Sequence, residues 1–471
     1  MDKLEESVRQ IIEEVINGLD LNLAQEKGNK NTGIFSDMHA AIDAAGLAFK
    51  EFGQITMETR KNIISNIRKS CLANNEILAK MAAEETGMGR WEDKLIKNEL
   101  GILKTPGVED IVPEAFSDDF GLTLVERAPY GVIGAITPST NPTVSIISNA
   151  IGMVAAGNSV VFNPHPAAKK VSAFLVNLMN QAIMEAGGPA NLVCCMAEPT
   201  IESAKNLMTH PKIAIMVVTG GPAVVKVAMN SGKKVIAAGP GNPPCVVDET
   251  ADLVKAGKDI VAGAGFDNNV ICICEKEIIV VASVADSLKE ELKKNGAYEL
   301  NEDQIKKITD LVIAEPGGPG KEGAAEKKYV GKNADFIAKQ IGLEVPASTR
   351  LLLCEVGREH PLLWTEQLMP VMPLVRVKDV DTAIELAVEC EHGFRHTAIM
   401  HSLNIAKLSK MAKAMNCSIF IKNGPSYAGL GKGGAGFASF TIASPTGEGV
   451  TRARTFTRER RCTLVDYFRI I

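Results

Sequence analysis

No run of about 18 uninterrupted apolar residues occurs in the 471-residue chain, so a membrane-spanning helix is not expected. The opening residues, MDKLEESVRQ, contain no apolar segment of the kind a secretory leader needs. Positive charge is not in excess. The formal net charge is -5, which gives no global basic field for nucleic acid. Cysteine is not spaced for a metal. Ten cysteines are scattered along the chain, and their only close groupings are Cys194-Cys195 and Cys272-x-Cys274. Neither grouping has the two-residue gap of common zinc sites, and no histidines follow at finger spacing, so no metal is expected. In a chain this long such cysteines do not read as a disulfide framework, and a reducing, cytoplasmic setting is expected.

What is present is an ordinary globular composition, with 46% apolar and 23% charged residues and length for two or three domains. Residues 3 to 20, KLEESVRQIIEEVINGLD, carry apolar side chains at helical spacing (Leu4, Val8, Ile11, Ile12, Val15, Ile16, Leu19), with acidic residues on the other faces. The polar, glycine-containing NLAQEKGNKNTG follows and reads as a linker. Such a helix either folds back on its own protein or docks on a partner, and its acidic polar face disfavours a membrane surface. Residues 37 to 118 are predicted to be helical, with few strand signals. From residue 120 strands and helices alternate: SVVFNP, NLVCCM, IAIMVVTGG and KVIAAG, then EKEIIVVAS, TRLLLCEV, TAIMHS and CSIFIKN. This alternation predicts mostly parallel sheets covered on both faces. Residues 314 to 328 read as an exposed loop, and the tail RCTLVDYFRII as a terminal strand.

In open α/β sheets, ligands bind beyond the carboxyl ends of strands. Three segments stand there. In ITPSTNP (136 to 142), Asn141 is either a helix cap or an amide donor for a developing oxyanion. In FNPHP (162 to 166), the prolines either simply end a strand and start the next helix, or Asn163 or His165 contacts a ribose or adenine. In VVTGGPAVVKVA (217 to 228), a Thr-Gly-Gly turn opens a helix whose free amides suit a phosphate, although the glycines also serve a plain turn. GLGKGG (429 to 434) satisfies a dinucleotide pattern, but no helix follows it, so it is a glycine-rich loop and not the main phosphate site. In FDNNVICICEKE (266 to 277), Cys272 follows a polar Asp-Asn-Asn turn, where a thiol can meet substrate. Alternatively both Cys272 and Cys274 are small buried hydrophobes on one face of a strand.

Taken in order, APYGVIGAITPSTNP, GNSVVFNPHP, VTGG, AGPGNPP, FDNN, EQLMPVMP and TIASPTGEGVT resemble the aldehyde dehydrogenase superfamily, and within it the CoA-acylating aldehyde dehydrogenases of bacterial microcompartments. The resemblance spans nearly the whole chain. It implies an α/β fold with two Rossmann-like open-sheet domains and a small strand extension for oligomerisation. The corresponding boundaries are a targeting helix at 1-21, a linker at 22-34, a nucleotide-binding domain at 35-245 with its oligomerisation strand at 120-130, a catalytic domain at 246-440, and a return to the first domain with an oligomerisation tail at 441-471. It implies Cys272 as nucleophile and Asn141 as oxyanion donor, aided by the backbone N–H of Cys272. It implies Thr137, Pro138, Asn163, His165, Pro166, Thr219, Gly220, Gly221 and Glu366 at the cofactor, with Glu366 on the nicotinamide ribose. Cys274 receives no role beyond structure.

Hydrolytic members of the superfamily carry a glutamate ahead of the nucleophile, and here Ala237 and Ala238 occupy that place. A base that activates water against a thioester is thus missing, which suits thiolysis by CoA. The implied reaction oxidises a short aldehyde, propionaldehyde in preference to acetaldehyde, with NAD+ and CoA to acyl-CoA. The implied partners are a second copy of the chain (dimer or tetramer) and, through residues 1-21, a shell or core protein of the compartment whose lumen would hold the enzyme. A hydrolytic enzyme making free acid, a non-catalytic scaffold, and acyl-phosphate or semialdehyde reductases are the alternatives.

Overall fold

The computed structural model describes residues 32–471. The expected docking helix and nearly all of the linker lie outside the described residues. After a two-residue strand, Ile34–Phe35, come four helices, Met38–Phe52, Met57–Ala73, Asn75–Thr86 and Trp91–Lys104, in the region the sequence predicts to be helical. The first two begin at Asp37 and Thr56, whose side chains accept the amides of Ala40 and Thr59 and satisfy part of the open first turn.

Two open sheets follow, and every pairing within them is parallel. The first has six strands in the order Ile34–Phe35, Val193–Met196, Ser159–Pro164, Val132–Thr137, Ile213–Thr219 and Lys234–Ala238. The second has seven, in the order Ala297–Glu299, Leu351–Glu355, Val371–Val377, Glu277–Val281, Pro244–Val247, Thr397–His401 and Ile419–Lys422. Central strands such as VIGAIT and EIIVV are buried along their whole length, as sheets covered on both faces require. The helix Pro142–Ala155 is buried at every position, including Ser145, Ser148 and Asn149. It packs against Trp91–Lys104, Met57–Ala73 and Lys169–Glu185, so it is a central rod and not a surface helix.

The boundaries expected from the sequence shift by a few residues. Ile34, counted with the linker, opens the first strand. Residue 245 falls inside Pro244–Val247, which pairs on both sides within the second sheet, so the chain crosses between sheets before Pro244. Residues 314 to 328 are not wholly irregular, because Ile313–Glu315 pairs with Ala324–Ala325. A separate three-stranded antiparallel sheet joins Glu114–Asp118, Gly121–Pro129 and Thr457–Val465, and the tail strand lies along the whole of Gly121–Pro129.

Candidate active site

The Asp-Asn-Asn turn supplies the local geometry on which the site depends. Asp267, Asn268 and Asn269 have φ of 49°, 53° and 67°, three consecutive residues in the left-handed region. Asp and Asn tolerate that region better than other residues with a Cβ, because their short polar side chains bond back to the nearby backbone. Here Asn269 makes bonds of that kind, and Asn268 bonds a segment distant in the sequence. Asn268 Nδ2 donates to Gly331 O at 2.9 Å and to Asn333 Oδ1 at 2.7 Å. Asn269 Nδ2 donates to Ala264 O and Glu275 O, each at 2.9 Å. The chain is turned so sharply that no strand forms at residues 270 to 276. The expectation that Cys272 and Cys274 share one face of a strand is therefore corrected, since strand Glu277–Val281 starts beyond both. Cys274 is 1% exposed and belongs to the core, whereas Cys272 keeps partial access to solvent.

The surroundings of Cys272 set its acidity. Burial first, and the Glu366 carboxylate second, push its thiol up to about 12, while the ammonium groups of Lys276 and Lys97 pull the other way. Burial likewise pushes Glu366 up to about 7, opposed by Lys276 and by the Gly241 amide, which donates to Glu366 Oε1 at 3.3 Å. Gly241 has no room for a side chain, because a Cβ there would stand 3.0 Å from both Cys272 O and the His396 ring. Glu366 and the AGPGNPP segment are thereby drawn to the Cys272 loop across long sequence separations.

Asn141 is the residue before helix Pro142–Ala155, yet its side chain makes no capping bond. Its Oδ1 instead accepts from Lys97 Nζ at 2.8 Å, and its Nδ2 reaches Thr140 Oγ1 at 3.3 Å. Lys97 also pairs with Asp267, as does Lys94 at 3.0 Å. Burial alone raises the Asp267 carboxyl, and the two ammonium groups more than reverse this, leaving it below the usual carboxylate range. Burial lowers Lys94 to about 8 against the pull of Asp267. Asn141 and the turn carrying Cys272 thus meet through one lysine.

The residues expected at the cofactor, other than Glu366, lie at the carboxyl ends of the first sheet's strands, whereas Glu366 lies ahead of strand Val371–Val377 of the second sheet. Thr137 Oγ1 is buried without a partner. Thr219 Oγ1 bonds Thr441 Oγ1 at 3.1 Å, and Thr441 bonds Asn149 Oδ1 at 3.1 Å, leaving Asn149 Nδ2 buried and unpaired. Gly221 opens the helix Pro222–Met229, and a side chain there would meet nothing within 4 Å. Pro138 is half-buried beside this edge. Asn163 is buried with its Oδ1 taken by Ser203 Oγ at 2.6 Å, so its carbonyl serves the cap of helix Ile201–Thr209. His165 and Pro166 are exposed, and His165 Nδ1 accepts the Ala167 amide at 3.1 Å. Among the described residues no hydrogen bond joins Asn163, His165 or Pro166 to Cys272 or Asn141. Ala237 and Ala238 are buried strand residues.

Sequence reasoning passed over Lys94, Lys97, Asp267, Lys276, Gly241 and Thr441. A lysine pair three apart on a helix looks like a solvated face. Only the burial of Lys94, Lys97, Asn98 and Gly101 along one side reveals otherwise. Among the described residues no cluster of His, Cys, Asp or Glu is arranged to hold a metal, and no helix is long and apolar enough to cross a membrane.

Two parallel open sheets, with a partly accessible cysteine three residues beyond a left-handed turn that a buried lysine links to Asn141, define an α/β protein with a thiol at its candidate site. The chain belongs to the aldehyde dehydrogenase family, whose profile matches residues 29–436. It is 48% identical to a CoA-propanoylating propanal dehydrogenase of Salmonella typhimurium, over 99% of both chains. It is also 48% identical to an acetylating acetaldehyde dehydrogenase of Escherichia coli, over 99% of this chain and 100% of that one. Among solved structures it is similar to the propionaldehyde dehydrogenase of Rhodopseudomonas palustris with bound CoA and an acylated cysteine (TM-score 0.89, 53% identity, 92% of this chain and 98% of that). It is also similar to the propionaldehyde dehydrogenase of a fucose-utilisation microcompartment of Clostridium phytofermentans (TM-score 0.90, 48% identity, 93% and 100%).

Proposed function

We propose that the protein oxidises a short aldehyde, propionaldehyde before acetaldehyde, with NAD+ and transfers the acyl group to CoA. The observation that carries this is the placement of Cys272 three residues beyond the buried left-handed turn, whose Asp267 is joined to Asn141 through Lys97, while only alanines stand at 237 and 238. Relatives of this activity match the chain along its whole length.

Cys272 sulfur attacks the aldehyde carbon, and the thiol proton leaves to solvent. The carbonyl oxygen becomes an oxyanion facing Asn141 Nδ2 and the Cys272 amide. A nicotinamide held at the first sheet would supply the acceptor for the hydride of that carbon. The oxygen closes to a carbonyl and Cys272 is left as a thioester. With no carboxylate at 237 or 238 to activate water, the thioester survives until the CoA thiol, of pKa about 8.5, attacks it. Acyl-CoA departs and Cys272 recovers a proton. The residues at the first sheet fit a dinucleotide: Gly221 leaves open space before a helix N-terminus, and Thr137 Oγ1 and Asn149 Nδ2 are buried polar atoms without partners. In this reading the first sheet carries the nucleotide, Thr219, Gly220 and Gly221 border it, and Glu366 holds the nicotinamide ribose. Pro138, Asn163, His165 and Pro166 line its outer reach.

Turnover with aldehyde and NAD+, quenched and weighed, should show an acyl adduct on the peptide containing Cys272, discharged by added CoA. A peptide of unchanged mass overturns the reading. A second reading, hydrolysis to the free acid, draws on Glu366, a carboxylate held near 7 beside the thiol. Product analysis with and without CoA separates the two, and parallel rates with NAD+ and NADP+ fix the cofactor.

The same proposal places a second copy on the three-stranded sheet, where Phe116, Phe120, Leu464 and Val465 are exposed. It also assigns residues 1-21 to docking inside a microcompartment. A fluorescent protein fused to residues 1-21 should concentrate in compartments of a host that forms them, and diffuse signal would count against the assignment.

A further inference from the structure

Lys94 and Lys97 stand one turn apart on helix Trp91–Lys104, and both are 1% exposed. Both pair with Asp267, which is 0% exposed. Asp267 also accepts the Arg90 amide at 2.8 Å, and its own amide donates to Asp93 Oδ2 at 3.0 Å. The two lysines are thus alike in burial and in counter-ion. They differ in one contact, because Lys97 alone of the two reaches Asn141.

That contact has a consequence for the amide. A side-chain amide turned over by 180° keeps its shape while exchanging donor and acceptor. An ammonium only donates. Lys97 therefore admits one orientation of Asn141, oxygen toward the ammonium and NH2 turned away from it. An asparagine at this position would otherwise offer its oxygen to the free amides of its own helix, and here it does not.

We propose that Lys97 is a positioning residue for thioester formation: it locks the Asn141 amide with its NH2 turned from the ammonium, one N–H on Thr140 Oγ1 and the other left for the substrate oxygen, and polarises that donor as the oxyanion develops. This rests on Asn141 and Cys272 acting as described under the proposed function. The benefit grows with the charge on the oxygen, so it appears in kcat and not in KM.

The test is single-turnover NADH formation with CoA withheld, in wild type, Lys97→Met, Lys94→Met, Asn141→Ala and the Lys97→Met/Asn141→Ala double variant. Lys97→Met keeps the length of the side chain, and Asp267 retains Lys94 and the Arg90 amide, so no charge is orphaned. Asn141→Ala should lose on the order of 10²–10³ in rate, as expected for one oxyanion donor. Lys97→Met should lose on the order of 10–100-fold, with the KM for aldehyde within about threefold. The double variant should be no slower than Asn141→Ala by more than about threefold, because Lys97 acts through Asn141. Lys94→Met should reduce thermal stability as Lys97→Met does, yet keep the wild-type rate within about threefold. Lys97→Gln retains an N–H donor and should recover part of the loss; it carries the comparison if Lys97→Met is not obtained folded. Losses that multiply in the double variant, or Lys94→Met as slow as Lys97→Met, overturn the proposal. NADH formation surviving in Cys272→Ala would instead overturn the proposed function, which no Lys97 result does by itself.

Discussion

Lys276 donates to the carbonyl oxygen of Asn269 at 2.8 Å, from inside the turn that carries Cys272. Its ammonium also holds Asn269 Oδ1 at 2.5 Å and Ile271 O at 3.2 Å. Three residues in the left-handed region are costly in isolation, and this buried ammonium is one of the groups that hold them there. Lys276→Met leaves those acceptors unpaired. A loss of about 2–5 kcal/mol in unfolding free energy is expected by urea denaturation. The Cys272 thiol, losing an opposing positive charge, should also alkylate more slowly at pH 8.

The acidity of Cys272 predicts a particular pH profile. With its thiol pushed up to about 12, the thiolate is a minor species at neutral pH, and alkylation should rise close to tenfold per pH unit through pH 9 without levelling. Glu366 titrates near 7. Below that pH it becomes neutral and ceases to repel the thiolate, so the thiolate fraction falls less steeply than tenfold per unit between pH 8 and 6. Glu366→Gln removes the repulsion at every pH. It should raise the alkylation rate at pH 8 and restore a uniform slope, read from the mass of the Cys272 peptide after iodoacetamide. A slower rate in Glu366→Gln would show the sign to be wrong.

Gly101 lets two helices approach closely. A Cβ there would lie 2.6 Å from Val144 Cγ2, on the central helix Pro142–Ala155. Lys97 is one turn away on the same buried side. Gly101→Val should cost about 1–3 kcal/mol by overpacking. It should also lower kcat, as the helix that presents Lys97 is displaced from Asn141. Thermal unfolding and steady-state kinetics on the same preparation check both.

The tail beyond strand Thr457–Val465 exposes Tyr467 (90%), Ile470 (94%) and Ile471 (98%). Large apolar groups so far out of the core suit the subunit contact proposed above. Deleting residues 467 to 471 should shift the protein to a smaller assembly in size-exclusion chromatography with light scattering, while single-turnover NADH formation persists. An unchanged mass would place the subunit contact elsewhere.

How much of the site can be read along the chain follows from distance. The Thr-Gly-Gly turn, the proline-flanked strand ends and the Asp-Asn-Asn turn are local, and their residue types announce them. The left-handed run itself leaves no periodic signal, and of the two alternatives for Cys272 and Cys274 the shared strand face fails, because the strand starts after both. Asn141 was left between cap and oxyanion donor, and it is the Lys97 contact, 44 positions away, that takes its oxygen out of capping. The pairing of Lys97 with Asp267 spans 170 positions and leaves no periodic trace.

The order of strands and helices, the glycine and asparagine turns and the family were determined by the sequence alone, because hydrophobic period and backbone preference act over a few neighbouring residues. Which charges are buried, which way the Asn141 amide faces and how acidic Cys272 is were decided only by tertiary packing. A lysine or a carboxylate is solvated by default. It becomes part of a site only when two sheets and a central helix shut out water and leave an ion pair as its remaining partner.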